Sequence, residues 1–154
     1  MPLYKHNHDK CIEEALREAR DICAARQTKF TALRQKVLEL VWTEHAPVTA
    51  YELLDMLSND GNKRVAPPTV YRALDFLMEE GFVHRLESLN AFIGCSDPSH
   101  KHQGHFLICR QCRRVTEATD AKLTAHIASA ALIHGYSCEN SILEVMGLCT
   151  NCQS

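Results

Sequence analysis

The sequence lacks a continuous apolar run of about 18 residues, the minimum for a helix that crosses a membrane. It also lacks a positively charged start followed by an apolar stretch, which is the pattern of a secretory signal peptide. Acidic and basic side chains nearly balance, because 17 Lys and Arg stand against 19 Asp and Glu and give a net charge of −2. We therefore expect a cytoplasmic protein with no membrane partner, and the charge balance argues against nonspecific nucleic-acid binding.

Repeats and enzyme motifs are absent as well. No internal repeat of about 20 to 50 residues and no low-complexity tract occurs, which excludes solenoids and linker-rich arrays. The zinc-enzyme motifs HExxH and HxE with PCxxC do not occur, so we expect no enzyme activity. With 154 residues, 45% of them apolar, the chain can bury the core of one ordinary domain or two small ones.

Cysteine and histidine, in contrast, are abundant, with eight Cys and nine His. In a reducing compartment, thiols in such numbers are more often metal ligands or redox groups than structural disulfides. Only Cys11 and Cys23 precede residue 90, and the other cysteines begin at Cys95. This distribution predicts two domains, residues 1–95 and residues 96–154, with the metal chemistry in the second.

Helical periodicity occupies most of residues 1–95. The helices are predicted to begin near Ile12, after a possible N-cap at Thr31, at a capping box formed by Thr49 and Glu52, and at Pro67, with the last one ending at Gly81. The period then changes to two over residues 82–87 and 91–95, which predicts a hairpin. Helices followed by a hairpin are the winged helix-turn-helix arrangement, in which one helix enters the major groove, although such bundles also serve other purposes.

Two short segments of this first domain are basic and carry no acid. One contains Arg26, Lys29, Arg34 and Lys36, and the other contains Lys63, Arg64 and Arg72. Such patches bind the phosphates of DNA, and the alternative is a solvated helix face. The second patch favours DNA because it leads into the helix that begins at Pro67.

The second domain is predicted to be a small α+β unit. Residues 105–109, 115–117 and 141–145 have the pattern of strands, and a helix capped by Asp120 runs to Gly135. The whole chain is therefore predicted to have an α+β fold.

Two CxxC pairs give the strongest motif in the chain. Cys109 and Cys112 form the first pair, and Cys149 and Cys152 form the second after 36 intervening residues. Two such turns supply the four thiolates of a closed tetrahedral zinc site, which is typically structural. The alternative is a pair of redox motifs or unrelated core cysteines, but neither CxxC begins a helix after a strand as a thioredoxin-like site requires.

A second set of metal-binding side chains is mixed in type. It comprises His84, Cys95, Glu117 and a run with His100, His102 and His105. One thiolate, one or two imidazoles and one carboxylate suit a zinc that binds reversibly. The alternative is that these histidines are ordinary polar surface residues.

The stretch from Pro67 to His84, PPTVYRALDFLMEEGFVH, together with the histidine run and the CxxC pairs, resembles the ferric uptake regulator family and its zinc uptake regulator branch. The resemblance covers residues 21–152. It implies a homodimer with an N-terminal winged-helix DNA-binding domain, a small C-terminal α/β dimerisation domain and two Zn²⁺ per chain. The implied function is a zinc-responsive transcriptional repressor that binds double-stranded promoter DNA and controls zinc uptake genes.

The resemblance also assigns residues. The structural zinc is assigned to Cys109, Cys112, Cys149 and Cys152, and the regulatory zinc to His84, Cys95, His102 and Glu117. For DNA, the resemblance assigns Tyr51 and Arg72. The predicted DNA-binding set also includes Tyr71 beside Arg72, and Lys29, Arg34, Lys36 and Arg64 from the basic patches. Arg72 has the fork that reads guanine, and a tyrosine ring can pack on a thymine methyl, although Tyr51 could instead be a helix-capping aromatic.

Some members of the family have a further metal site, but the corresponding positions here are Thr124 and Ser141, so we expect no full third site. Two other functions stay open. An iron or peroxide sensor of the same family would use a site richer in His, Asp and Glu, whereas Cys95 is a soft ligand that favours zinc. A thiol redox switch built on the two CxxC pairs is the alternative from a different class.

Overall fold

The computed structural model describes residues 7–44, 46–60, 64–100, 102 and 104–153. They fall into two units, Met1–His100 and Lys101–Ser154. The predicted boundary at residue 95 and the role of each domain stay predictions. Gly61, at the end of a predicted turn, and Lys63, from the second basic patch, lie outside the described residues. In the part of the chain that is described, no helix is long and apolar enough to span a membrane.

Four helices build the first unit, namely α1 (His8–Arg26), α2 (Ala32–Trp42), α3 (Ala50–Asn59) and α4 (Pro67–Glu79). Their starts follow from local chemistry. The Thr31 hydroxyl accepts a hydrogen bond from the Arg34 backbone N–H at 3.3 Å, and Thr49 forms the capping box at the start of α3. Pro67 occupies the first turn of α4, where its missing N–H costs nothing. The four predicted helices are confirmed.

The end of α4 is fixed by a glycine and an ion pair. Gly81 has a φ of 84°, a left-handed conformation that glycine adopts without a steric penalty. The Arg26 guanidinium at the end of α1 donates to the Glu80 carboxylate at 2.8 Å and to the Glu80 carbonyl oxygen at 2.9 Å. Arg26 therefore joins α1 to α4, although the charge pattern placed it in a DNA-binding patch.

A hairpin completes the first unit. β1 (Val83–Leu86) and β2 (Ala91–Gly94) are antiparallel, and a single 3-10 turn joins them. The turn contains no glycine because Asn90, with a φ of 45°, adopts the left-handed conformation instead. The Val48 N–H donates to the carbonyl oxygen of Phe92 in β2 at 3.0 Å, which ties the hairpin to the helices. This is the predicted winged helix.

The core of the first unit fixes the face that α4 presents to solvent. Val70, Leu74 and Leu77 of α4 are each 0% exposed, because they pack against the other helices and the hairpin. Tyr71 and Arg72 lie between them in sequence and are exposed. The helical period of 3.6 residues therefore buries one side of α4 and leaves the side with Tyr71 and Arg72 available to a partner.

The second unit is built on a three-stranded sheet. Its elements are β3 (Gly104–Cys109), β4 (Val115–Glu117), α5 (Ala121–Ile133) and β5 (Ile142–Gly147). The strand order is β4–β3–β5, in which β3 pairs antiparallel with β4 and parallel with β5. The Asp120 carboxylate caps α5 by accepting from the Lys122 N–H at 2.8 Å. Together the two units confirm the predicted α+β fold.

Candidate metal centres and DNA-binding surface

Four cysteines cluster at one end of the sheet in the second unit. The parallel pairing places Cys109, the last residue of β3, opposite Gly147, the last residue of β5. Both CxxC turns therefore leave the sheet at the same end, and the Sγ atoms of the four cysteines all lie within 4.8 Å of one another. The four members are Cys109, Cys112, Cys149 and Cys152.

The geometry of this four-cysteine cluster fits zinc. A tetrahedral ion with Zn–S bonds of about 2.3 Å separates its sulfur ligands by about 3.8 Å. The Sγ atoms of Cys112 and Cys149 are 3.7 Å apart, and both residues are free thiols. The Cys149 backbone N–H also donates to Cys109 Sγ at 3.4 Å, which is the support that a thiolate ligand requires.

Hydrogen bonds within the cluster shift the pKa values of two of its four thiols. Hydrogen bonds from the backbone N–H groups of Cys112 and Cys149 lower the pKa of the Cys109 thiol to about 6. Hydrogen bonding to the neighbouring Cys149 sulfur, together with burial, raises the pKa of Cys152 to about 12. The cluster alone thus favours a thiolate at Cys109 and a thiol at Cys152. A divalent cation held by the four cysteines would require the Cys152 thiol to lose its proton, because metal ligation requires deprotonated thiols.

His84 and Cys95 lie at the base of the hairpin in the first unit. His84 is on β1 and pairs with Ile93 of β2, and its Nε2 atom is buried. Cys95 follows β2 directly, and its backbone N–H donates to the carbonyl oxygen of Phe82 at 2.9 Å. Only 4% of Cys95 is exposed. The hairpin thus holds one imidazole and one thiol at its base.

His102 and Glu117 form a contact within the second unit. The Nε2 atom of His102 is hydrogen-bonded to a carboxylate oxygen of Glu117, which lies on β4. Their side chains are 20% and 11% exposed, so solvent screens this pair little. Of the other two histidines in the run, His105 is buried with its ring 3.4 Å from the Ser141 hydroxyl, and His100 is exposed. His102 is therefore the histidine of the run that contacts Glu117.

The exposed side chains of the first unit form a surface suited to DNA. Tyr51 is 80% exposed near the start of α3, and Tyr71 is 49% exposed on α4. Such exposure is inconsistent with a packing role for the Tyr51 ring. The two rings line one groove together with Arg85 of the hairpin. The sequence analysis missed Arg85, although it is the one Arg or Lys between residues 82 and 95 and lies on a predicted wing strand.

The basic residues predicted to contact phosphates differ in their surroundings. Lys29 and Arg64 are exposed, as is Arg72 on α4. Two others have partners within the first unit, namely Arg34 and Lys36. The guanidinium carbon of Arg34 lies 3.7 Å from the centroid of the Phe76 ring, and its Nη1 donates to the Lys29 carbonyl oxygen.

Lys36 belongs to a small ion-pair network. Its ammonium group lies 3.0 Å from a carboxylate oxygen of Asp60 and 3.3 Å from one of Glu39. The hydrogen bond to Asp60 raises the pKa of Lys36 above its ordinary value. Both carboxylates compete with any phosphate for this ammonium group.

A winged-helix unit joined in one chain to a unit with a four-cysteine cluster defines a metal-binding protein with a DNA-binding fold. The profile of the ferric uptake regulator family matches residues 25–146, and the chain belongs to that family of regulators. It is 36% identical over 143 residues to the zinc uptake regulation protein of Escherichia coli. This match covers 91% of this chain and 82% of the Escherichia coli protein.

Two solved structures of zinc uptake regulators are also similar to the chain. The first is a zinc uptake regulator complexed with zinc and DNA, which is 36% identical in sequence. The match covers 92% of this chain and 94% of the regulator's chain, with a TM-score of 0.86. The second is the crystal structure of holo XcZur, which is 43% identical in sequence. That match covers 89% of this chain and 95% of the XcZur chain, with a TM-score of 0.81. The predicted resemblance to the zinc uptake regulator branch is therefore confirmed.

Proposed function

We propose that the chain is a zinc-responsive transcriptional repressor, which binds promoter DNA in the cytoplasm as a zinc-loaded homodimer and controls zinc uptake genes. The observation that carries the proposal is Cys95, a buried cysteine at the base of the hairpin of a winged helix. A thiolate there is a soft ligand that favours zinc, and it would be easily oxidised beside iron. The chain's similarity to zinc uptake regulation proteins supports the same metal.

We assign two zinc ions to each chain. The structural zinc is held by the four-cysteine cluster, whose sulfur spacing and backbone N–H support fit a closed tetrahedral site. The regulatory zinc is assigned to His84 and Cys95 from the first unit and to His102 and Glu117 from the second. Imidazole, thiolate and carboxylate are all zinc ligands, and this assignment rests on donor chemistry and on the family resemblance.

The chain's own residues define what the regulatory zinc does. When bound, zinc would supply the positive charge that stabilises a Cys95 thiolate, with the imidazoles of His84 and His102 among its ligands. Ligands from two units restrict the orientations in which α4 is presented, so the DNA-competent form becomes more populated. The energy for this switch is the difference in zinc affinity between the competent form and the others.

We assign the reading of DNA to α4 and the residues around it. Arg72 has a planar fork that can bind the O6 and N7 atoms of a guanine, and Tyr51 and Tyr71 present rings that can pack on thymine methyl groups. We assign phosphate contacts to the exposed ammonium of Lys29 and the exposed guanidinium of Arg64. The internal partners of Arg34 and Lys36 favour a structural role for both, so their contact with phosphates stays a prediction.

Exposed apolar side chains in the second unit support the homodimer. The exposed set comprises Leu107, Leu132, Ile133, Tyr136, Ile142, Val145 and Met146. None of the described residues of α5 is buried, so this helix has little core of its own. Many exposed apolar side chains on one small unit are typical of an interface, and a second copy of the chain would bring a second recognition helix for the other half of an operator.

The experiment compares Cys95→Ser with the wild-type chain in operator binding across buffered free zinc. Serine offers no thiolate, so we expect the zinc midpoint to rise at least about tenfold, which corresponds to about 1.4 kcal/mol. One tightly bound zinc per chain and the dimer should remain, because Cys95 is outside the four-cysteine cluster. Cys138→Ser is the matched control, since Cys138 belongs to neither predicted set and its thiol donates to the Asn140 carbonyl oxygen at 3.8 Å. An unchanged midpoint in Cys95→Ser would remove Cys95 from the regulatory site and the main argument for zinc over iron.

A further inference from the structure

Gly94, the last residue of β2, lies against the indole ring of Trp42 at the end of α2. A Cβ atom on Gly94 would be 2.3 Å from Cε2, 2.4 Å from Nε1 and 2.7 Å from Cζ2 of that ring. Carbon atoms in contact are normally about 3.5–4.0 Å apart, so a side chain at this position would force the ring or the strand to move by about 1 Å.

Space, rather than backbone conformation, is what requires glycine at this position. Among the described residues, the glycines with positive φ are Gly81 and Gly135, and Gly94 is not one of them. An alanine could therefore adopt the Gly94 backbone without strain. Its methyl group would have to displace Trp42, which is anchored on α2, or the end of β2.

Trp42 and Cys95 also share a cavity of about 230 Å³ in the first unit. Phe82 and Pro98 line the same cavity, and α1 contributes further lining residues. Besides its pairing with Val83 of β1, the end of β2 contacts the indole of Trp42 through Gly94, and the Cys95 N–H donates to the Phe82 carbonyl oxygen at 2.9 Å.

We propose that Trp42 and Gly94 are positioning residues for the regulatory zinc, because their contact determines the position of the Cys95 thiolate. This inference rests on the proposed role of Cys95 as a zinc ligand. A ligand must be held within about 0.5 Å of its productive position, so a displacement of about 1 Å at Gly94 exceeds what the site tolerates. The substitution Gly94→Ala should therefore weaken zinc binding although every ligand remains in the chain.

The test uses the full-length dimer with its structural zinc in place. The zinc midpoint is measured by chelator competition, and the cysteine contact is followed by the thiolate-to-metal charge-transfer band of the cobalt-substituted protein. Gly94→Ala should raise the midpoint at least about tenfold and weaken the band. Adding Trp42→Leu to that variant should return the midpoint to within about threefold of wild type, because leucine ends at its Cδ atoms and has no atom where Cε2, Nε1 and Cζ2 of the indole would meet the new methyl. Trp42→Leu alone is the control for loss of the indole.

Cys95→Ser serves as the reference that separates the two proposals. If Cys95→Ser shifts the midpoint and Gly94→Ala does not, the positioning inference is wrong and the proposed function stands. If Cys95→Ser shifts nothing, the proposed site itself fails. A shift in Gly94→Ala that Trp42→Leu does not reverse also overturns the inference. Should Gly94→Ala alone fail to fold, the double variant decides: a midpoint near wild type supports the inference, and a midpoint raised as far as in Cys95→Ser overturns it.

Discussion

Replacing Arg34 by lysine separates a structural role from a phosphate contact, because the substitution keeps the positive charge. The planar guanidinium over Phe76 is lost, as is its hydrogen bond to the Lys29 carbonyl oxygen. Arg34 lies in the first turns of α2 and Phe76 lies on α4, so these contacts join the two helices. We expect Arg34→Lys to destabilise the protein without removing a charge from the DNA-binding surface.

The expected loss can be worked out from the two contacts. A cation over an aromatic ring contributes about 0.5–1 kcal/mol at an exposed site, and a hydrogen bond contributes about 1 kcal/mol net. Arg34 is half-buried, so the free energy of unfolding should fall by about 1–2 kcal/mol. In a chain of this length, that corresponds to a fall in the melting temperature of about 2–8 °C.

The assay combines thermal unfolding of the zinc-loaded protein with the salt dependence of operator binding. The slope of log K against log salt is negative, and each lost phosphate contact reduces its magnitude by about 0.9. We expect Arg34→Lys to lower the melting temperature and keep the slope. Lys29→Ala is the matched control, because its exposed side chain should change the slope and leave the melting temperature unchanged. Wild-type stability in Arg34→Lys, with the magnitude of the slope reduced by about 0.9 in Arg34→Ala, would refute the structural role.

Four further outcomes are expected. Cys149→Ser should leave a poorly dimeric chain that has lost its structural zinc, and a variant with the wild-type zinc count and melting temperature would exclude that site. Because the pKa of Cys152 is raised to about 12, zinc must displace its proton, so affinity at the four-cysteine cluster should rise at least about tenfold per pH unit between about pH 7 and 9; affinity independent of pH contradicts this. Ile133→Glu should favour monomers in ultracentrifugation, since Ile133 is 82% exposed on the proposed interface, and an unchanged dimer would place the interface elsewhere. Arg72→Ala should cost about 1–3 kcal/mol on the operator and less on random DNA, and an equal loss on both would make Arg72 a phosphate contact.

Local signals in the sequence were sufficient to predict the elements of the first unit. The capping box at Thr49, the proline at the start of α4 and the glycine after its end each act within a few residues of the chain. Sequence alone could also predict the four-cysteine cluster, because two CxxC pairs can supply the four thiolates of one tetrahedral ion. The parallel pairing of β3 with β5, which brings those turns together, was not predicted, because strand order depends on contacts between distant segments.

Contacts between distant residues account for what the sequence could not predict. Arg34 and Lys36 belong to a run without acids, yet their partners are Phe76 and Asp60, far along the chain. In the sequence, nothing distinguishes Gly94 from another small strand residue, and its need for space becomes visible only when the fold brings the indole of Trp42 against it. A charge pattern reports which side chains are present, but only the fold determines which of them already have partners.

The zinc dependence of DNA binding by the unmodified chain bears on all of these assignments. The reduced, full-length dimer is titrated with DNA from upstream of its own gene at buffered concentrations of free zinc, iron or manganese. The proposed function predicts that DNA binding saturates as zinc fills a second site per chain and that iron or manganese at physiological free concentrations does not replace it. Operator binding that is independent of zinc, or that iron supports equally well, would contradict a zinc-responsive repressor.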